Sequence, residues 1–256
     1  MTKIATPLPV SDDDNMSLEE WAIRLDLAAC YRLAAMYGWA DALATHFSAR
    51  IPGEEAFLLN PYGLFFEEVT ASNLVKVDLD GNILQKTEHT INQAGFVIHS
   101  AIHQARDDAG CVMHLHTSNG VAVSCLSEGL LPISQTAMLI ADRIAYHDYE
   151  GVAFDEDERP RLAKDLGAFH IMILRNHGTL TVGDTIAATF LRMHTLEQAC
   201  DIQMRVLATG RSIAPVSAGA QARTGEIGIR LEETRAEHSW RAHKRALDRV
   251  TTDYQR

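Results

Sequence analysis

Histidine is the residue type whose spacing in this chain could do chemistry. His114-Leu115-His116 closes the apolar run Gly110-Cys111-Val112-Met113, and His177 closes a second run that ends Leu174-Arg175-Asn176-His177-Gly178. In an extended strand, residues i and i+2 point to the same face, so His114 and His116 stand side by side and His177 is free to close on them. Three imidazole nitrogens with a vacant position are the ligand set of a catalytic zinc-type site; a structural site would be closed by a fourth residue, usually Cys. A plainer reading also fits, since a histidine on a half-buried strand is more often hydrogen-bonded than metal-bound, and His-x-His alone favours it. The second segment shifts the balance towards a metal. Gly178 permits close backbone approach or a positive φ beside the site, and Asn176 can orient neighbours through its amide.

Strands must carry these histidines to a strand end, where sites on α/β sheets open, and the chain supplies them. Ser17 and Glu20 form a capping box opening a helix that Gly38 ends. Trp39 to Ile51 turns into an alternating strand before Pro52-Gly53. Phe57-Leu58-Leu59 is a second strand, and Leu74 to Asp78 a third that enters an Asp80-Gly81 hairpin, so the early sheet is antiparallel. Asn92 to Arg106 has the spacing of an amphipathic helix, stopped by Asp107-Asp108-Ala109-Gly110, with His99 and His103 on one face. An i, i+4 histidine pair can bind metal, but the Glu of H-E-x-x-H is lacking, which favours core or interface histidines.

Beyond His116, Ser118 to Leu126 reads as helix, Ser134 caps another, and Ile144 to His147 is a short strand. Asp155 to Glu158 begins a helix as a solvated acidic cap. His170 to Leu174 is the strand leading to His177, and Asp184 caps a long helix to about Thr209. Gly210, Pro215 and Gly219 mark a linker. The tail, with Glu232-Glu233-Thr234-Arg235-Ala236-Glu237, is charged, helix-prone and poor in core residues; such a segment packs on a neighbour or stays mobile.

The 256 residues suffice for a sizeable core, and the formal net charge of -11 with no basic cluster excludes nucleic acid as partner. Cys30, Cys111, Cys125 and Cys200 form no C-x-x-C, which suits a reducing cytoplasm better than disulfides or a zinc ribbon. Met1 to Asn15 reads as a flexible arm rather than a signal peptide, and no later apolar run is long enough to span a membrane. The expected organisation is an arm over 1–16, one α/β domain over 17–209, and a linker with a charged helical tail over 210–256.

Six segments together resemble the class II aldolase/adducin family: Asn92-Gln93-Ala94-Gly95-Phe96, His99-Ser100-Ala101-Ile102, His114-Leu115-His116-Thr117, Gly129-Leu130-Leu131-Pro132-Ile133-Ser134, Ala145-Tyr146-His147-Asp148-Tyr149 and Leu174-Arg175-Asn176-His177-Gly178. The resemblance implies a three-layer α/β fold with a central, mainly antiparallel sheet, assembled as a homotetramer. It implies one divalent metal per subunit, Zn2+ first and Mn2+ or Fe2+ next, held by His114, His116 and His177. Its chemistry would be Lewis-acid stabilisation of an enediolate. The sugar-phosphate aldolases use a glutamate as acid/base where this chain has Gly95. Their phosphate cradle falls on His46, Tyr62-Gly63 and Gln93-Ala94, which with Ser48 are the substrate-binding candidates.

Two functions follow from the resemblance. One is a metal-dependent lyase, by aldol cleavage or decarboxylation, on a small oxygenated substrate, a 2-oxo or 2-hydroxy acid. The other is a non-catalytic interaction module like the adducin head, although this chain lacks the long basic tail of adducins. Loss of the glutamate at position 95 is expected to leave room and remove a charge that would repel an acid. Proton transfer would then fall to water, His46 or His99.

Overall fold

The computed structural model describes residues 16–151 and 156–256. Residues 1–15 of the expected N-terminal arm and Asp155, at the start of the acidic helix cap, lie outside the described residues. Seven strands form one sheet: β1 (His46–Arg50), β2 (Ala56–Leu59), β3 (Val75–Asp78), β4 (Cys111–Leu115), β5 (Ile144–His147), β6 (Ile171–Leu174) and β7 (Gly178–Gly183). Their order is β3-β2-β1-β4-β7-β6-β5, with every pair antiparallel except β5 and β6. The sheet is therefore mainly antiparallel, as expected.

Alternation along the strands sends side chains to two helical layers. Phe47 and Ala49 of β1 and Cys111, Met113 and Leu115 of β4 pack under α1 (Leu18–Met36), α6 (Ile186–Ala208) and α7 (Ala218–Asp248). Val112, Leu180 and Val182 face α2 (Gln93–Ala105) and α5 (Arg159–Leu166) on the other side. His46, Ser48 and His114 occupy the intervening positions of β1 and β4, so they share the α2 face. The result is three layers, helix, sheet, helix, with α3 (Ser118–Ser124) and α4 (Gln135–Met138) beside α6.

Several local expectations change. The helix after His177 is capped by Thr185, whose hydroxyl accepts from Ala188 N at 3.1 Å, and not by Asp184. The Asp80-Gly81 turn leads only to an isolated bridge, Val77 with Ile83, and the helix after Ser134 is a single turn. Gly178 to Gly183, unassigned from sequence, is a central strand between β4 and β6. Its Thr-Leu-Thr-Val alternation is the signal that identifies it.

The tail is not poor in core residues. Ala236, Trp240 and Leu247 of α7, with Tyr254 beyond it, are buried in the main cluster against α1 and α6, and Gly219 lies inside α7 rather than in the linker. Arg192 of α6 and Arg143, which follows α4, both reach Glu232, pinning α7 to the body. Among the described residues no helix is long and apolar enough to cross a membrane.

Candidate metal centre

His46, His114, His116 and His177 meet at one end of the sheet, where β1 begins, β4 ends and β7 begins. His46 and His114 are direct partners across β1 and β4. His177 arrives through a tight turn: its N–H bonds to Leu174 O at 3.1 Å, and Asn176 takes φ 57, the left-handed conformation that Asn tolerates better than most residues. It is thus the backbone of Asn176 that shapes the site. Gly178 follows because β7 runs hard against β4; a Cβ there would lie 2.3 Å from Leu115 O. Close approach, not a positive φ, is the reason for this glycine.

One nitrogen from each of His114, His116 and His177 lies within 4.8 Å of the others, and among the described residues no other cluster of His, Cys, Asp or Glu has this arrangement. Their outer nitrogens are held. His114 Nδ1–H donates to Thr179 O at 3.0 Å, and His116 Nδ1–H donates to Asp41 Oδ2 at 3.2 Å. Such partners fix which nitrogen is free to bind a metal. With both Nδ1 atoms protonated, the Nε2 lone pairs of His114 and His116 confront each other at 2.8 Å, which neutral rings disfavour and a shared cation relieves. The donor set therefore fits a divalent, nitrogen-preferring ion such as zinc. Burial, then the neighbouring imidazoles, pushes His114 well below the ordinary histidine range; burial first and His116 and His147 next bring His177 down to about 4. Neutral imidazole is the ligating form.

Behind these three runs a buried polar chain between β1 and α2. His103 Nδ1–H donates to Ala109 O at 2.9 Å, which leaves its Nε2 to accept from the Ser48 hydroxyl at 2.7 Å. Ser48 Oγ then accepts from His99 Nδ1–H at 2.5 Å, and His99 Nε2 accepts from His46 Nδ1–H at 2.8 Å. By elimination, neutral His46 presents an unprotonated Nε2. Its ring lies 5.1 Å from that of His114. Burial, with His116 and His177 nearby, lowers His46 to about 3, and burial with Arg50 lowers His103 to about 3.

A family model described as "Class II Aldolase and Adducin N-terminal domain" matches residues 25–204. The chain belongs to the class II aldolase and adducin family. A Caulobacter vibrioides protein provisionally named an aldolase class 2 protein is 51% identical over 93% of this chain and 94% of its own. Mouse alpha-adducin is 45% identical over 78% of this chain, which spans 28% of that protein. The solved L-fuculose 1-phosphate aldolase of Glaciozyma antarctica superposes with TM-score 0.79 at 27% identity, covering 93% of each chain.

Against this family background, the expected space at Gly95 is absent. A Cβ on Gly95 would lie 2.4 Å from His46 Cδ2 and 2.7 Å from its Nε2, so the His46 ring already fills that place. His99 has both ring nitrogens engaged and no exposed surface, which makes it a support for His46 rather than a group that meets substrate. Ser48 is likewise fully buried, its oxygen taken by two imidazoles. Tyr62, Gly63 and Gln93 are exposed, and Tyr62 N donates to Thr90 O at 2.8 Å, tying that loop to the segment that opens α2. A cleft of about 850 Å³ lies at the opposite end of the sheet, lined by Arg50, Gly110 and Asp184, and contains no imidazole.

Sequence reasoning missed Asp41, Thr179 and Glu197, which support the centre from outside. Glu197 alone had a signal, an acid on the same face of α6 as Met193 and Cys200, four residues before and three after it.

Proposed function

We propose that this chain is a divalent-metal-dependent carbon–carbon lyase acting on a small 2-oxo or 2-hydroxy acid, by aldol cleavage or decarboxylation. The observation that supports it most is the convergence of His114, His116 and His177 beside the bare Nε2 of His46. The three histidines would hold one ion, zinc first and manganese or iron next, which when bound supplies Lewis-acid stabilisation of negative charge developing on a substrate oxygen.

The protein's own groups do the remaining work. Thr179 O and Asp41 orient two of the ligands before any ion arrives. His46 stands where a carboxylate on residue 95 would otherwise reach, and its neutral ring accepts or returns a proton at Nε2 without repelling an acid substrate. The chain through His99, Ser48 and His103 keeps it in that tautomer. The exposed residues Tyr62, Gly63 and Gln93 would meet the rest of the substrate.

We further propose a cytoplasmic homotetramer built on a 17–209 body, with the 210–256 segment at subunit contacts. Ile227, Ile229 and Leu231 of α7 are exposed, with Ile227 and Leu231 on one face, which supports such a contact. Light scattering at micromolar concentration should give about four times the 28.3 kDa chain mass; a monomer mass contradicts this.

The test of activity is turnover of a panel of small 2-oxo and 2-hydroxy acids and of sugar phosphates by metal-loaded protein. Metal-dependent turnover of an acid, lost in His46→Gln, is the expected result. Preferential cleavage of fuculose phosphate would overturn the substrate class. Inactivity across both panels would favour a binding module, the reading that the 45% identity to mouse alpha-adducin supports.

A further inference from the structure

Glu197 carries a carboxylate into the interior without a cation beside it. The residue is 5% exposed, and among the described residues it makes no ion pair. Its hydrogen-bond partners are hydroxyls: Thr179 Oγ1–H donates to Oε1 at 2.7 Å, and Thr117 Oγ1–H donates to Oε2. Burial pushes the carboxyl up from its ordinary value while the two hydroxyls pull it down. Burial without a cation favours the neutral form of such a carboxyl, and a cation bound in the same interior is what would favour the ionised form, which both hydroxyls are placed to receive.

The two threonines are the residues that adjoin the metal ligands. Thr117 follows His116 and caps α3 by accepting from Gly120 N at 3.1 Å. Thr179 gives its hydroxyl to Glu197 and its carbonyl to His114 Nδ1. Glu197 therefore grips, from the α6 face of the sheet, both segments that carry imidazoles. The fit is close: a Cβ on Gly120 would lie 2.8 Å from Thr117 Oγ1 and 3.1 Å from Glu197 Oε1.

We propose that Glu197 is the positioning residue of the histidine centre and the buried counter-charge of the cation it binds, acting through Thr179 and Thr117. This rests on the metal reading of His114, His116 and His177. Three neutral imidazoles leave a divalent ion with its full charge, and a carboxylate in the same low-dielectric interior offsets part of it. Glu197 is not one of the three residues that would hold the ion and acts on it only through the threonines.

The experiment uses full-length, metal-stripped protein and its Glu197→Gln variant, which keeps the size and an acceptor but removes the charge. Zinc affinity is read by competition with a chromophoric chelator, the ligand set by the visible spectrum of bound cobalt(II), and the fold by thermal unfolding without metal. The expected result is zinc affinity lower by about ten- to a hundredfold, with an unchanged cobalt spectrum and a metal-free Tm unchanged or raised. Equal affinity in variant and wild type overturns this inference while leaving the metal reading intact, as does a loss confined to the metal-free Tm. Wild type that binds neither ion overturns both. Should Glu197→Gln fail to fold, Thr179→Val removes one hydroxyl and keeps the backbone carbonyl on His114; weakened zinc binding with the same cobalt spectrum supports the inference, and retained affinity overturns it.

Discussion

The ring of His46 stands in the space that a side chain on residue 95 would need, 2.4 Å from the Cβ that Gly95 lacks. The two positions are thus coupled. Gly95→Ala forces His46 to move inside a packed layer, an overpacking cost of roughly 1–3 kcal/mol. In a His46→Ala background the same change should cost far less, because the colliding ring is gone. Denaturant unfolding of the four proteins in this cycle checks it, and additive costs would show that the two residues do not share that space.

Acid should unfold the metal-free protein through its imidazoles. His46 and His103 sit at about 3 and His177 at about 4, all below the ordinary value of 6.5. A depressed value means that the unfolded chain binds protons the native protein refuses. Stability is then fully present above about pH 6.5 and is lost as pH falls towards 3 to 4. Each such group adds a slope of about 1.4 kcal/mol per pH unit within its window. Unfolding midpoints measured from pH 8 to pH 4 should fall steadily below 6.5; a flat profile down to pH 4 contradicts the buried neutral chain.

Trp240 ties the C-terminal helix to the body. It is 5% exposed, its ring lies 5.4 Å from that of Phe190, and its Nε1–H donates to Asp26 at 3.4 Å. Trp240→Ala should destabilise by about 3–5 kcal/mol. Arg241→Ala, on an exposed turn of the same helix, should change stability by no more than about 0.5 kcal/mol. Equal effects in urea unfolding would mean that α7 is not anchored through its buried side.

The strand carriers of His114 and His177 were legible because apolar runs of strand length end in the histidines, and the same-face argument brought His114 and His116 together. Asp41 was not legible, since a lone acid in the apolar, irregular stretch Trp39-Ala40-Asp41-Ala42-Leu43 carries no pattern. Nor could periodicity show that His46, with the supports His99, Ser48 and His103, forms one line; two of these residues come from β1 and two from α2, and only packing joins them. At Gly95, sequence showed a missing carboxylate and suggested a space. The filler comes from a residue 49 positions away, on the β1 strand beneath α2, a tertiary contact that no local rule encodes. The tail was underestimated because its buried residues, Ala236, Trp240 and Leu247, are spread through a highly charged helix.

The central claim is that His114, His116 and His177 hold one divalent metal, and metal content measures it most directly. Protein purified without chelator and then equilibrated with zinc or manganese should contain about one equivalent per chain by elemental analysis. His177→Ala, which changes a half-buried residue at the sheet end, should lose it while remaining folded. Wild type with less than about a tenth of an equivalent, unchanged by added zinc or manganese, would contradict the account.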